Sequence, residues 1–276
     1  MRFLLIAVAA ASAWSQTPDV QQIMSRVGVN QARSLEERQN WVYTQKQLLR
    51  MVRGNGKIAR EEHREYTVTP KFRGVGKKLV RFDGKYENKG KFHTYDKPGY
   101  EYKGTDIDGQ ILDSMSNDMT NDKGSRDGLD HGLFPLTYHQ QLKYDFKLAG
   151  REEFHGRPVF RVSFEPKPKQ DFDDSLWKGE ALIDAEEYQP VLVTTKMARG
   201  LPLVVKTLLG TNLKGLGFSV SYQKFADGVW FPVSYGGEFY VRAAFVYRRT
   251  ISVSLANSDF RHTDVNSSVA YATEPQ

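Results

Sequence analysis

The sequence predicts an α+β fold that is mainly antiparallel β: an unclosed half β-barrel wrapped around an N-terminal helix and a mid-chain helix. The C-terminal half is a series of short segments that alternate apolar and polar residues, as antiparallel strands with one covered face do. Two earlier segments repeat their apolar residues at helical spacing. A wide sheet curls and needs a cover for its apolar face, and these helices are the candidates.

The first fifteen residues have the layout of a secretory signal peptide. Arg2 supplies a positive charge, Phe3 to Ala13 is an apolar run, and Ala11-Ser12-Ala13 fits a cleavage site. We therefore expect residues 1–15 to be removed and the mature protein to be soluble. The chain has no cysteine, which favours a bacterial periplasm over compartments where small exported domains rely on disulfides.

The next segment predicts the N-terminal helix, from Pro18 to Arg38. Thr17-Pro18-Asp19 is a helix start signal, and apolar residues then follow on one face at helical spacing: Val20, Ile23, Met24 and Val27. This amphipathic helix is the first candidate cover for the sheet.

Hairpins follow the helix. Strands are predicted from Trp41 to Arg53 and from Lys57 to Thr69, on either side of the turn Gly54-Asn55-Gly56. A further strand from Lys78 to Phe82 is expected to turn at Asp83-Gly84 into a strand from Lys85 to Tyr95. The mid-chain helix comes next, since apolar residues recur every fourth position: Ile107, Ile111, Met115 and Met119.

From residue 144 onward the alternating segments predict strands near Phe146, Phe160, Leu182, Val193, Val220, Phe231, Phe239 and Val253. Roughly ten strands in a large meander are expected overall. Because no linker divides them, we predict a single half-barrel domain over residues 16–265, followed by a flexible tail over 266–276.

The motifs give no positive sign of an enzyme. The six histidines lack zinc-ligand spacing, and neither a G-x-S-x-G elbow nor a complete phosphate-binding glycine motif is present. The aspartates between residues 106 and 130 lack the calcium-loop pattern and are expected on a solvated helix and loop face. We predict no catalytic residue, no metal and no cofactor. An enzyme built from scattered histidines and aspartates remains the alternative that a metal assay would address.

Charge is unevenly distributed along the chain. Residues 46–103 hold sixteen Lys or Arg against seven Asp or Glu, whereas residues 104–130 hold two against seven. One interpretation is a basic surface at Lys77, Lys78 and Arg81 that meets anionic head groups. The other is that lysines protect edge strands from pairing with other sheets. Nucleic acid is not expected as a partner of an exported protein.

Several motifs resemble those of the outer-membrane lipoprotein-sorting proteins, similar to the Lol periplasmic carriers. They are Trp41-Val42-Tyr43 after the helix, the hairpin from Gly150 to Val162, the turn before Tyr188-Gln189-Pro190-Val191, and Asp227-Gly228-Val229-Trp230-Phe231-Pro232. The resemblance covers most of the mature chain. It implies an unclosed barrel around helices with an apolar cavity for acyl chains, and it supplies no catalytic residues.

The predicted function is a periplasmic lipid-binding or lipoprotein-binding carrier that takes part in transport and outer-membrane biogenesis. Its partners would be acyl chains, with an envelope membrane surface or an outer-membrane receptor as further candidates. The predicted hydrophobic lining is Phe160, Val162, Phe164, Phe218, Val220, Tyr222, Phe231, Phe239, Val241 and Phe245. The same residues suit a filled core, in which case the protein is a non-catalytic envelope scaffold with a basic docking surface.

Overall fold

The structure is a computed structural model that describes residues 18–71, 75–100, 106–119, 136–168, 177–198, 212–214, 217–226, 228–243 and 247–263. The predicted signal peptide (1–15) and the predicted tail (266–276) lie outside these ranges.

Both predicted helices are present. Helix α1 spans Val20–Glu37 and runs into a 3-10 turn at Arg38–Asn40, and α2 spans Ile107–Met119. A short α3 spans Tyr138–Gln141. The apolar residues of α1 lie on one side of it, where Ile23, Met24 and Val27 are buried. None of the described helices combines the length and apolar character needed to cross a membrane.

Within the described ranges, twelve strands form one antiparallel sheet. They are β1 (Trp41–Arg53), β2 (Ile58–Pro70), β3 (Val75–Asn88), β4 (Lys91–Tyr95), β5 (Tyr144–Phe154), β6 (Arg157–Pro166), β7 (Trp177–Asp184), β8 (Pro190–Met197), β9 (Asn212–Lys214), β10 (Ser219–Ala226), β11 (Val229–Ala243) and β12 (Tyr247–His262).

The strand order is β4-β3-β2-β1-β12-β11-β10-β8-β7-β6-β5, with β9 paired to β11. It differs from one continuous meander because β1 pairs with β12, the last strand of the sheet, at the middle of the order. Two meanders are therefore joined at their centre. The order begins at β4 and ends at β5, so the barrel is unclosed, and the predicted α+β half-barrel is confirmed.

The expected turn at Asp83-Gly84 is wrong. Strand β3 continues through it to Asn88, and the chain turns at Lys89-Gly90, both of which have positive φ (50° and 82°). A Cβ at Gly84 would clash with the ring of Tyr95 on the neighbouring strand, so a side chain there would force the ring to move. This glycine serves the close approach of a ring to the strand, and not a turn.

The buried apolar side chains of the described residues form two clusters. The main cluster joins α1 and Leu112 of α2 to most of the sheet. The second cluster consists of Tyr43, Val68, Val75, Val229 and Phe231. We call the face of the sheet on which α1 and α2 lie the inner face.

Candidate functional site

Seven of the ten predicted lining residues belong to the main cluster. They are all between 0% and 6% exposed, and they come from β6, the start of β10 and β11: Phe160, Val162, Phe164, Phe218, Val220, Tyr222 and Phe239. Strand alternation places them on the covered side, as the sequence pattern indicated.

The other three lie elsewhere. Val241 is half-buried and packs against the edge of the main cluster. Phe231 packs in the second cluster, where it meets the rings of Trp41 and Tyr43 edge-on. Phe245 lies outside the described residues. Seven of the predicted lining residues therefore share one surface, whereas Phe231 lies in a separate cluster.

Helix α1 packs directly on this surface. Its buried side chains Ile23, Met24 and Val27 belong to the main cluster, whereas Val29 on its opposite side is 67% exposed. The apolar side of α1 thus occupies the space beside the predicted lining.

Polar contacts hold the second half of α1. Asn30 Nδ2 donates to the backbone oxygen of Glu187 at 2.7 Å, and Arg38 Nε donates to that of Trp230 at 2.6 Å. Between them, Gln31 Nε2 donates to Gln189 Oε1 at 2.9 Å, and Gln189 Nε2 donates to Ser34 Oγ at 3.0 Å. Hydrogen bonds rather than apolar packing therefore fix this end of the helix.

Helix α2 meets the sheet through carboxylates, which corrects the expectation of a solvated acidic face. Asp106 is buried and ion-paired with Arg60, Asp113 is ion-paired with Arg64, and both arginines are on β2. Asp106 also caps α2, because its Oδ1 accepts from the backbone N–H of Gly109 at 2.9 Å. A Cβ at Gly109 would lie 2.6 Å from Arg60 Nη1, so glycine permits this close contact.

Asp108, in the first turn of α2, pairs with the last strand, β12. Arg249 Nε donates to Asp108 Oδ1 at 3.0 Å, and Arg249 Nη2 donates to Asp108 Oδ2 at 3.1 Å. Tyr247 donates its hydroxyl proton to Asp108 Oδ1 at 2.8 Å. Burial and the neighbouring charge of Asp108 both raise the pKa of Tyr247, so it stays a neutral donor.

A buried carboxylate links the two arginines of β2. Glu62 Oε1 accepts from Arg60 Nε at 3.1 Å, and Glu62 Oε2 accepts from Arg64 Nε at 2.9 Å. The hydroxyl of Tyr95 donates to Glu62 Oε1 at 2.6 Å and accepts from Arg60 Nε at 2.6 Å. Every member of this group is nearly inaccessible to solvent.

Arg60, Arg64 and Tyr95 of this group each keep one protonation state. Burial alone would lower the pKa values of Arg60 and Arg64, but hydrogen bonds and charge from Asp106, Asp113 and Glu62 outweigh it and raise both. Burial and the charge of Glu62 raise the pKa of Tyr95. Both guanidinium groups are therefore charged and the phenol is neutral at any physiological pH.

A line of amides continues this polar region across the inner face. Ser116 Oγ donates to Gln47 Oε1 at 2.7 Å, Gln47 Nε2 donates to Gln45 Oε1 at 3.1 Å, and Gln45 Nε2 donates to Asn257 Oδ1 at 3.3 Å. Asn257 Nδ2 then donates to the backbone oxygen of Pro232 at 2.9 Å. The inner face is thus apolar beneath α1, whereas beneath α2 it is polar and charged except where Leu112 packs into the main cluster.

The sequence does contain a signal for the charged region. Residues two apart on a strand share a face, so Arg60, Glu62 and Arg64 form a row of alternating charge on one side of β2. The pairing with β1 places Arg60 opposite Met51, and Glu62 opposite Leu49, both of which belong to the main cluster. Charges in register with core residues are themselves buried.

The predicted basic residues do not share one surface. The pairing of β2 with β3 places Lys78 opposite Thr67, and Arg81 opposite Glu65, on one face, whereas Lys77 lies opposite Val68 on the other. Lys78 and Arg81 are exposed and Lys77 is half-buried. Any docking role of these residues therefore rests on Lys78 and Arg81.

Two open grooves lie over the sheet. One, of about 370 Å³, crosses β1, β2, β3 and β12, and the other, of about 780 Å³, crosses β5 to β8. Of the described residues that line them, most are polar or charged, and none belongs to α1 or α2. Within the described ranges, no group of three or more His, Asp or Glu side chains is placed to hold a metal ion.

The architecture defines an unclosed antiparallel half-barrel with two helices on its inner face. No family model matches the chain, and no curated protein matches it. Solved structures similar to it include a putative outer membrane lipoprotein-sorting protein domain from Vibrio parahaemolyticus, at 14% identity and a TM-score of 0.39, over 88% of this chain and 93% of that one.

Two further structures are similar to the chain. A LolA superfamily protein from Nitrosomonas europaea is 11% identical, with a TM-score of 0.35 over 90% of this chain and 96% of that one. A DUF1329 family protein from Desulfovibrio piger is 12% identical, with a TM-score of 0.37 over 91% and 96%.

Proposed function

We propose that the protein is an exported, periplasmic carrier-like protein without catalytic activity, which binds the acyl chains of a lipid or lipoprotein on the inner face of its half-barrel. The observation that carries the proposal is the packing of α1 on the apolar surface of the sheet. Seven predicted lining side chains and the three buried apolar side chains of α1 form one continuous carbon surface.

Helix α1 and an acyl chain are stabilised on the inner face by free energies of the same order. Burying the α1 side chains Ile23, Met24 and Val27 contributes about 5–9 kcal/mol. Four of the hydrogen bonds made by the second half of α1 and by Arg38 add about 1 kcal/mol each. A sixteen-carbon acyl chain gains about 13 kcal/mol when it leaves water. An acyl chain is therefore able to replace α1 on the inner face at little net change in free energy.

The direct test is the binding of a fluorescent C16 fatty acid to delipidated protein, with Val162→Gln and Val29→Gln as a matched pair. Val162 is on the proposed binding surface and 0% exposed, whereas Val29 faces solvent. We expect Val162→Gln to weaken binding by about tenfold, since an unpaired buried amide costs 1–3 kcal/mol. Val29→Gln should bind like wild type.

Two results would overturn the proposal. One is the absence of both probe uptake and co-purified lipid from natively purified protein, measured by extraction and mass spectrometry. The other is equal binding by the two variants, with circular dichroism melts showing that both are folded. A protein that binds no lipid but stays with the envelope would fit the scaffold instead, and Lys78→Glu/Arg81→Glu would then release it in fractionation.

A further inference from the structure

Three arginines on the inner face of the sheet are each paired with an aspartate from the short segment 106–113. Arg60 meets Asp106, Arg64 meets Asp113, and Arg249 meets Asp108 at two atoms. The arginines belong to β2 and β12, whereas the aspartates all belong to α2 and the residue that precedes it. The interface between sheet and helix therefore contains three pairs of opposite charges, beside the apolar contact of Leu112.

The sheet keeps a positive charge when the contribution of α2 is left out. Glu62 lies between Arg60 and Arg64 and neutralises one of them, so the three arginines leave two positive charges in excess. Guanidinium groups present forks of donors that match the oxygens of carboxylates and phosphates. The aspartates of α2 occupy the positions that a small anion would take.

The arrangement favours a phosphate over a single carboxylate. Arg60 and Arg64 each donate to a different oxygen of Glu62, so both forks lie within reach of one compact anion. A phosphate ester carries more acceptor oxygens than the two of a carboxylate, so it offers each guanidinium fork more than the single oxygen that Glu62 gives it. The rings of Tyr95 and Phe82 lie against the two guanidinium groups and hold them in place.

We propose that Arg60, Arg64 and Arg249 form a binding site for the phosphate of a lipid head group, and that α2 closes this site with its own aspartates. This inference rests on the proposed function, because it names the head group of the amphiphile whose acyl chain lies on the apolar surface. The two surfaces are continuous: Arg60 is opposite Met51 and Glu62 is opposite Leu49 on the neighbouring strand. A head group at the arginines thus leaves its acyl chains at the main cluster.

Opening of the site exchanges one set of charge pairs for another. The charged groups of the α2 contact are hydrated when α2 moves away, and an ion pair buried between them adds little net stability. Opening also exposes Leu112, which is buried in the main cluster, so the bound lipid must offset this apolar contact. The phosphate binds the open arrangement more tightly than the closed one, so its binding shifts the population toward the open arrangement. Removing aspartates from α2 raises the open fraction and with it the apparent affinity.

The test compares three probes of matched chemistry on delipidated protein: dipalmitoyl phosphatidic acid, dipalmitoyl glycerol with no phosphate, and glycerol 3-phosphate with no acyl chain. Affinities are measured by displacement of the fluorescent fatty acid and, for glycerol 3-phosphate, by calorimetry. The variants are Asp108→Asn/Asp113→Asn, which opens the site, and Arg60→Gln/Asp106→Asn, which replaces a charge pair by an amide pair of similar shape. Asp145→Asn, at an exposed position of β5, is the control.

We expect wild type to prefer phosphatidic acid to the neutral lipid. A tenfold rise in the open fraction makes the preference about tenfold larger in Asp108→Asn/Asp113→Asn. Arg60→Gln/Asp106→Asn should lose the preference, and Asp145→Asn should match wild type. The neutral lipid should bind all four proteins within about twofold, because its contacts are apolar.

Equal affinity for the two lipids in every protein would overturn the phosphate site and leave acyl binding intact. Glycerol 3-phosphate binding as tightly as phosphatidic acid would overturn the lipid head group in favour of a free phosphate ester. Binding of none of the lipids would overturn the proposed function itself.

Discussion

Asp106 joins helix α2 to the sheet through its two carboxylate oxygens: Oδ1 accepts the backbone N–H of Gly109 and Oδ2 accepts a hydrogen bond from Arg60 on β2. One residue therefore starts the helix and holds it to the strand. Arg60 and Asp106 are both almost fully buried, so the loss of either one leaves the other without a partner that water cannot replace.

Removing one partner of this pair is expected to be far more damaging than removing both. Asp106→Ala should lower the free energy of unfolding by about 3–5 kcal/mol, because it leaves a buried guanidinium without this partner. Arg60→Met/Asp106→Leu should lower it by no more than about 2 kcal/mol, since an apolar pair of similar volume needs no partner. Urea unfolding at neutral pH measures both, with the exposed Asp145→Ala as control. A double variant as unstable as Asp106→Ala would contradict this account.

Gly84 gives a second prediction, about packing. Its missing side chain makes room for the ring of Tyr95, whose hydroxyl reaches Glu62 and Arg60. Gly84→Ala should destabilise the protein by about 1–3 kcal/mol, because the ring must move and its hydrogen bonds loosen. Gly54→Ala is the matched control: no atom lies within 4 Å of its Cβ, so thermal unfolding should change little. Similar melting temperatures for the two variants would argue against a packing role of Gly84.

Gly84 also illustrates what the sequence could and could not predict. Periodicity was sufficient for α1, for α2 and for the hairpin of β1 and β2, because their apolar residues repeat on one face. The local pattern Asp83-Gly84 predicted a turn, yet the position of Tyr95 across the strand pair decides the backbone there. Contacts between residues far apart in sequence are not visible in a local pattern.

The candidate site was likewise predictable only where a local sequence pattern determines it. The apolar surface under α1 follows from strand alternation, which placed Phe160, Val162 and Phe164 correctly on one face. The charged surface under α2 depends on the pairing of β1 with both β2 and β12, which brings Arg249 near Arg60. Sequence separation of more than 180 residues hides that neighbourhood, so the aspartates of α2 were expected in solvent.

Acid stability should depend on Glu61. Burial raises the pKa of this carboxyl, but hydrogen bonds from Lys85 and Arg50 outweigh burial and lower it to about 2. A depressed pKa contributes stability above the unfolded value of 4.5, and the contribution is lost as the pH falls through about 2. Because Arg50 and Lys85 are each about 40% exposed, screening reduces it to about 1–2 kcal/mol.

The measurement is the free energy of unfolding at pH 6 and pH 2.5 for wild type, Glu61→Gln and the exposed control Glu153→Gln. Glu61→Gln should be less stable than wild type at pH 6 and should lose about 1–2 kcal/mol less on acidification. Glu153→Gln should follow wild type. An unchanged pH dependence in Glu61→Gln would assign the acid sensitivity to other carboxylates.

The last prediction concerns the hold on α1. Gln189 accepts from Gln31 and donates to Ser34, so one side chain satisfies two buried polar groups of the helix. Gln189→Ala leaves both without these partners and should destabilise the docking of α1 by about 2 kcal/mol. Hydrogen exchange of the α1 amides should then quicken, while the exposed control Gln223→Ala should exchange like wild type.

The same variant links stability to function. If α1 and an acyl chain compete for the inner face, loosening α1 must strengthen acyl binding, because the bound form no longer has to displace a firmly held helix. A loss of about 2 kcal/mol in docking corresponds to roughly a 30-fold gain in apparent affinity for the fluorescent C16 fatty acid. Faster exchange in α1 together with weaker acyl binding would mean that the helix is part of the binding surface and not its competitor.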